Sequence, residues 1–247
     1  GTPVIEIEGV DALEAIDHAI LPDRIEAGTF AVAAAITRGD LLLLDAPVDH
    51  MHSVITTLEE AGARCRVEAR GLRVIGPEEL HPIDHAIIPD RIEAGTLMVA
   101  AALTRGDVLI RDAAPEHLDA LIAKLRAANV DVEIGGEGVR VRGRADVRPT
   151  DVATRPHPGF PTDMQAQMMV LATMARGQSI ITETIFENRF MHVPELVRLG
   201  ADIHVNNNVA IVRGPTRYSG TTVMATDLRA SACLVLAGLV AEGKTEI

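Results

Sequence analysis

The chain has 247 residues, 47% of them hydrophobic, and a formal net charge of −12, so it is long enough to bury one large core or two small ones. An acidic surface excludes nucleic acid or an anionic membrane as the main partner, because both need basic surface. No apolar run approaches the roughly 18 to 20 residues of a membrane span, and no charged segment followed by an apolar one opens the chain, so a cytoplasmic location is expected.

Residues 1–16, with Val4, Ile5, Ile7 and Val10 at near-alternate positions, are predicted to form a first strand. Residues 17–76, beginning DHAILPDRIEAGTFAVAAAITRGD, then return at 84–143 as DHAIIPDRIEAGTLMVAAALTRGD, with about half the positions identical. This is a tandem duplication whose two copies must share one fold. Each copy predicts a helix of small apolar residues (Ile25 to Ile36, Ile92 to Leu103) closed by a glycine in the left-handed conformation (Gly39, Gly106). A short strand follows (Leu41–Leu44, Val108–Ile110), then an amphipathic helix such as His117–Ala128, then a hairpin (Arg64–Glu68 into Leu72–Ile75, Asp131–Ile134 into Val139–Arg142).

The pattern weakens but continues. Pro161, Arg176-Gly177 and Leu199-Gly200-Ala201 match the earlier copies, with a helix over Met164 to Met174, a strand at Ser179–Thr182 and a hairpin turning through Asn206-Asn207-Asn208. A further start lies in MATDLRASACLVLAGLVAEG, with a helix over Leu228 to Val240. The repeat therefore reads β-α-β-α-β-β. The domain organisation is a first unit at 1–80, a second at 81–150, a third at 151–216 and the beginning of a fourth at 217–247. Cys65 and Cys233 lie far apart and lack CxxC spacing, so both are expected to be buried reduced thiols. His50 and His52 cannot share a helix face, and no HExxH pair occurs, so no metal and no cofactor is expected.

Polar chemistry is densest between Pro158 and Val193. Thr162 and Asp163 stand where apolar periodicity begins, so one of them should cap a helix. Asp163 has either that task or a catalytic one as a base. Arg189 either clamps a phosphate or pairs with Glu183. Arg91, like Arg24 in the first copy, opens a helix where a cation is disfavoured, and Asp90 and Glu93 are expected to balance it. Asp227 and Arg229 repeat that arrangement, and His157 precedes the PGFP turn.

The segments IPDRIEAGT (88–96), PGFPTDMQAQ (158–167), TETIFENRFMHVPEL (182–196) and MATDLRASACLVLAGLVAEG (224–243) resemble the enolpyruvyl transferases, and among them the UDP-N-acetylglucosamine 1-carboxyvinyltransferase family. The resemblance covers almost the whole chain. It implies an α/β inside-out barrel of β-α-β-α-β-β units and a reaction between domains that moves enolpyruvyl from phosphoenolpyruvate to the sugar 3-hydroxyl, the first committed step of peptidoglycan synthesis. It implies Asp163 as catalytic base and sugar contact, Ile185 as a backbone contact, and Asp227 and Arg229 as substrate-binding residues of a cleft wall; Arg189, Arg91 and His157 are the further substrate-binding candidates.

The sequence also departs from that family. It resembles only the domain built from the later part of the family sequence, lacks the cysteine-bearing loop, the Lys-Asn pair and the late Arg-Gly motif, and carries one unit twice. Residues 81–150 are read as the native copy and 1–80 as supernumerary. The chain is therefore expected to supply the sugar-facing half of a site and to be inactive without a second domain as its partner. The rival readings are an enolpyruvylshikimate phosphate synthase-like transferase, a non-catalytic nucleotide-sugar-binding module, and a structural repeat scaffold.

Overall fold

The computed structural model describes residues 22–225 and 227–247, the side chains of Arg229 and Ala230 excepted. The strand expected over residues 1–16 lies outside them. The described residues divide into two compact units, one ending at Ile87 and the other running from Ile88 to Ile247.

The first unit contains α1 (Arg24–Ile36), β1 (Asp40–Leu44), α2 (His52–Glu60), β2 (Arg64–Glu68) and β3 (Gly71–Ile75). Its helix start is set by Asp23, whose carboxylate accepts the Ile25 N–H at 2.7 Å, meeting one of the donors a helix leaves open. The strands form an antiparallel sheet in the order β1-β3-β2, with Asp40 opposite Ile75 and Leu44 opposite Gly71. Gly71 has φ +141°, and a Cβ there would fall 1.9 Å from the Leu43 carbonyl oxygen, so only glycine fits the close strand approach. Ala31, Ala34, Leu58, Leu72 and Val74 make the small core.

The second unit opens with the same design: α3 (Arg91–Thr104), β4 (Asp107–Arg111), α4 (Asp119–Ala127), β5 (Asp131–Gly135) and β6 (Gly138–Arg142). Asp90 caps α3 through the N–H groups of Ile92 and Glu93, and the sheet order is again outer, last, middle: β4-β6-β5. The equivalence reaches side chains. Arg73 grips Asp40 with two hydrogen bonds of 2.8 and 2.7 Å, and Arg140 grips Asp107 with two of 2.7 and 2.8 Å. The Arg140 and Arg142 guanidiniums hold the Asp107 carboxyl down to about 2. One expectation changes in both copies: the left-handed residue after the helix is Arg38 (φ 59°) and Arg105 (φ 55°), not the glycine that follows each.

Then come β7 (Val152–Ala153), α5 (Gln165–Thr173), β8 (Gly177–Thr182), α6 (Val193–Arg198), β9 (Asp202–Asn206), β10 (Val209–Gly214) and α7 (Leu228–Gly238). Their sheet runs β7-β8-β10-β9, with β7 parallel to β8 and the rest antiparallel. Helices α3, α5 and α7 pack on one another. Every residue of α5 is buried, Gln165, Gln167 and Thr173 included, which places this helix at the centre of the second unit.

In the second unit the sheets β4-β6-β5 and β7-β8-β10-β9 pack against helices α3 and α5, in the inside-out sense expected, but among the described residues the three sheets stay separate and no barrel closes. Among the described residues, the strand expected to lead each repeat appears only as β7. Residues 77–90 form none; Pro77, Pro82 and Pro89 remove the donors a ladder needs there. Cys233 is buried as expected, but Cys65 is only half-buried, since β2 is an edge strand of a small sheet. No helix of the described residues is long and apolar enough to cross a membrane.

Candidate functional site

Three segments of the second unit converge at the end of β7 and β8. The turn 155–160 is closed by the Arg155 N–H donating to the Phe160 carbonyl and the Gly159 N–H donating to the Pro156 carbonyl, 2.9 and 2.8 Å, and its His157–Pro158 peptide is cis. A 3-10 turn, Thr162–Met164, then leads into α5. The positions before these two elements are Pro161 and Met164, and neither supplies a side-chain cap. The capping expected of Thr162 or Asp163 is therefore not made from the cap positions, because the chain enters through a 3-10 turn that Pro161 begins.

Both side chains turn instead toward the loop after β8. Arg189 donates to Asp163 Oδ1 at 2.7 Å and to the Thr162 hydroxyl at 2.9 Å, and its guanidinium lies 4.4 Å from the centre of the Phe186 ring. The Thr162 hydroxyl donates onward to Glu183 Oε2 at 2.8 Å. Arg189 therefore pairs with Asp163, and reaches Glu183 only through Thr162; the expected Arg189–Glu183 pair is replaced by this relay. Glu183, 1% exposed, also accepts from the Thr154 hydroxyl and the Ile185 N–H, each at 2.8 Å, and from the Phe186 N–H at 3.3 Å.

Arg91, Arg155, His157, Thr162, Asp163 and Ile185 line one cleft of about 180 Å³. An adjoining pocket shares Arg91 and His157 and adds Glu116, His117 and Met164. Arg91 makes no ion pair among the described residues; Asp90, expected to balance it, spends its carboxylate on the α3 cap. The cleft thus carries one carboxylate, paired with Arg189, beside Arg91 and Arg155. An anionic ligand bearing a hydroxyl would meet cations on one side and a proton acceptor on the other.

Asp227 does not line this cleft. It acts on His192, which burial pushes down to about 4, with Asp227 working in the opposite direction and Arg189 in the same one. The His192 ring is buried, and its Nε2 has no hydrogen-bond partner. The side chain of Arg229 lies outside the described residues.

Sequence reading missed Thr154 and the part played by Glu183 and His192. A lone Thr154 after β7 meeting Glu183 and Thr184 after β8 gives no periodic signal, and a histidine inside an apolar run looks like any other core-flanking residue. The only cue was TETIFEN itself, a strand that continues into polar residues without a turn signal.

A sequence model of the family described as EPSP synthase (3-phosphoshikimate 1-carboxyvinyltransferase) matches residues 1–73 and 55–247, the overlap reflecting the duplication. The UDP-N-acetylglucosamine 1-carboxyvinyltransferase of Desulfatibacillum aliphaticivorans is 60% identical over 74% of this chain and 44% of its own length. That of Sorangium cellulosum is 55% identical over 92% of the chain and 55% of its own. Among solved structures, the enolpyruvyl transferase NikO from Streptomyces tendae superposes with a TM-score of 0.63 at 30% identity, covering 89% of this chain and 54% of that one. An EPSP synthase from Acinetobacter baumannii, 17% identical with a TM-score of 0.53, shares the fold. The chain spans about half the length of the curated relatives it matches.

Proposed function

Given that the chain belongs to the EPSP synthase family of 1-carboxyvinyl transferases, we propose that it forms the sugar-facing half of a site that transfers enolpyruvyl from phosphoenolpyruvate to the 3-hydroxyl of UDP-N-acetylglucosamine. In that reaction the hydroxyl oxygen bonds to C2 of the enolpyruvyl group, the hydroxyl proton leaves to a base, and the bond from C2 to the phosphate oxygen breaks as inorganic phosphate departs. Asp163 takes the proton, Arg189 fixes the carboxylate, and the backbone of Ile185 orients the sugar. Arg91 and His157 face the substrate's anionic part. Asp227 and Arg229 belong to the same wall. The remaining phosphate contacts come from a second domain, and the product belongs to cell-wall synthesis in the cytoplasm.

The observation that carries this reading is the Arg189–Asp163 pair at the rim of a cleft that also holds Ile185. Relatives named for this sugar nucleotide, at 55 to 60% identity, favour it over shikimate phosphate as acceptor. Within the chain, residues 1–80 are the supernumerary repeat and 81–247 the native sequence of units. Calorimetric titration tests the reading. UDP-N-acetylglucosamine is expected to bind the chain and shikimate 3-phosphate not to, with Asp163→Ala weakening binding at least about tenfold through loss of a charged hydrogen-bond partner. Equal affinity of Asp163→Ala and the unaltered chain overturns the assignment.

A further inference from the structure

Glu183 stands outside the cleft lining, yet three residues of that lining, Thr162, Asp163 and Ile185, lead back to it. Its Oε2 accepts from Thr162, whose oxygen accepts from Arg189, whose other nitrogen donates to Asp163. Its Oε1 accepts the Ile185 and Phe186 N–H groups and the Thr154 hydroxyl. Thr154 is itself held by the Thr184 N–H, at 2.8 Å. The Glu183 backbone is clamped too, by the Asn208 carbonyl accepting its N–H at 2.8 Å and the Asn208 amide donating to its carbonyl at 2.9 Å.

We infer that Glu183 is the positioning residue of this site: one buried carboxylate sets the direction of the Thr162 hydroxyl, and through it the placement of Arg189 and Asp163, while its other oxygen fixes the backbone at Ile185. The inference rests on the proposed reading only for what those groups bind. The chemistry of the donors explains why a carboxylate is needed. A hydroxyl can donate once and accept twice. With an acceptor-only group at Oε2, the Thr162 proton points to Glu183 and its lone pairs face Arg189. A glutamine cannot satisfy both ends. Its carbonyl oxygen is drawn to the three donors at the Oε1 side, which leaves its NH2 facing Thr162 and the Thr162 proton without its acceptor.

The test is made on the full chain by following the Arg189 guanidinium in 1H–15N spectra, its signals assigned by their absence in Arg189→Lys. A held guanidinium gives separate Nη signals shifted from those of free arginine; a released one gives averaged signals. Glu183→Gln is expected to release Arg189 and to weaken UDP-N-acetylglucosamine binding about tenfold, the effect of losing one buried charged hydrogen bond. Thr162→Val, which cuts the relay but leaves the Ile185 amide alone, is expected to release Arg189 to the same extent even if Glu183→Gln fails to fold, and the double variant to bind no more weakly than Glu183→Gln. Held Arg189 signals in Thr162→Val, or in a folded Glu183→Gln, overturn the inference. If Arg189 is released in both variants while the unaltered chain binds no sugar nucleotide, positioning stands and the substrate assignment fails.

Discussion

Helices α1 and α3 are built from almost one sequence and sit in different surroundings. Val32 is 43% exposed and its counterpart Val99 is 0%; Ile36 is 62% exposed and its counterpart Leu103 is 5%. Caps, sheet register, left-handed residues and the bidentate Arg–Asp grip are the same in both copies. What differs is that α3 packs on α5 and α7, while among the described residues of the first unit only α2, β1 and β3 pack on α1. The repeat therefore specifies its own helix and sheet, and the central helix cluster is a separate, longer-range achievement. A unit with so small a core is expected to be the weaker of the two.

Paired substitutions break or sharpen this contrast. The largest effect is expected from a charge on the central face. Val99→Asp buries a carboxylate without a partner and is expected to cost the second unit at least about 3 to 5 kcal/mol, whereas Val32→Asp should move the first unit by no more than about 0.5 kcal/mol. Hydrogen exchange at α1 and α3 amides under increasing urea reads the two units separately; similar losses in both would mean that the α1 face is covered in solution.

Acid should act on one unit alone. His192 lies in the second unit and has its folded pKa lowered to about 4 by burial, while His50, His52 and His81 of the first unit are exposed. A histidine depressed in the fold takes up its proton more readily when unfolded. Its contribution is therefore complete above about pH 6.5, falls as pH drops, and is lost by about pH 4, a total near 3 kcal/mol. The exchange protection of α6 and α7 should decline through that window and that of α1 should not, with the decline reduced in His192→Gln. A decline of the same size in α1 would show that the effect comes from elsewhere.

The smallest contrast is one of sign. A Cβ on Gly28 would meet the Val54 methyls at 3.9 Å, an ordinary contact, while one on Gly95 would fall 2.7 Å from Leu121 Cδ2 and 3.0 Å from Met164 Sδ and Cε. Gly28→Ala should stabilise the first unit by about 0.5 to 1 kcal/mol through helix propensity. Gly95→Ala should destabilise the second by about 1 kcal/mol, because overpacking outweighs the same gain. Urea midpoints for the two units check the pair, and a gain at both sites would mean that α4 and the 155–164 segment yield freely.

Candidate residues were legible to different depths. Asp163, Ile185, Arg91 and His157 were singled out in the sequence and share one cleft. Arg189 was singled out with the wrong partner. The pairing depends on Thr162 standing between it and Glu183, a fact of three segments meeting across 21 and 27 positions. For Asp163 the sequence leaves a cap and a catalytic base open, and Pro161 takes the cap position away from it.

By itself the sequence determined the repeat, the small-residue helix, short strand, second helix and hairpin of each copy and the family, since these rest on local periodicity, turn residues and matched motifs. Only the tertiary structure decided which copy buries its helix, whether the leading strand forms, and how Glu183 organises Thr162, Arg189 and the Ile185 backbone. Those outcomes depend on contacts between residues far apart in the chain, and identical local sequence, as α1 and α3 show, carries no record of what packs against it.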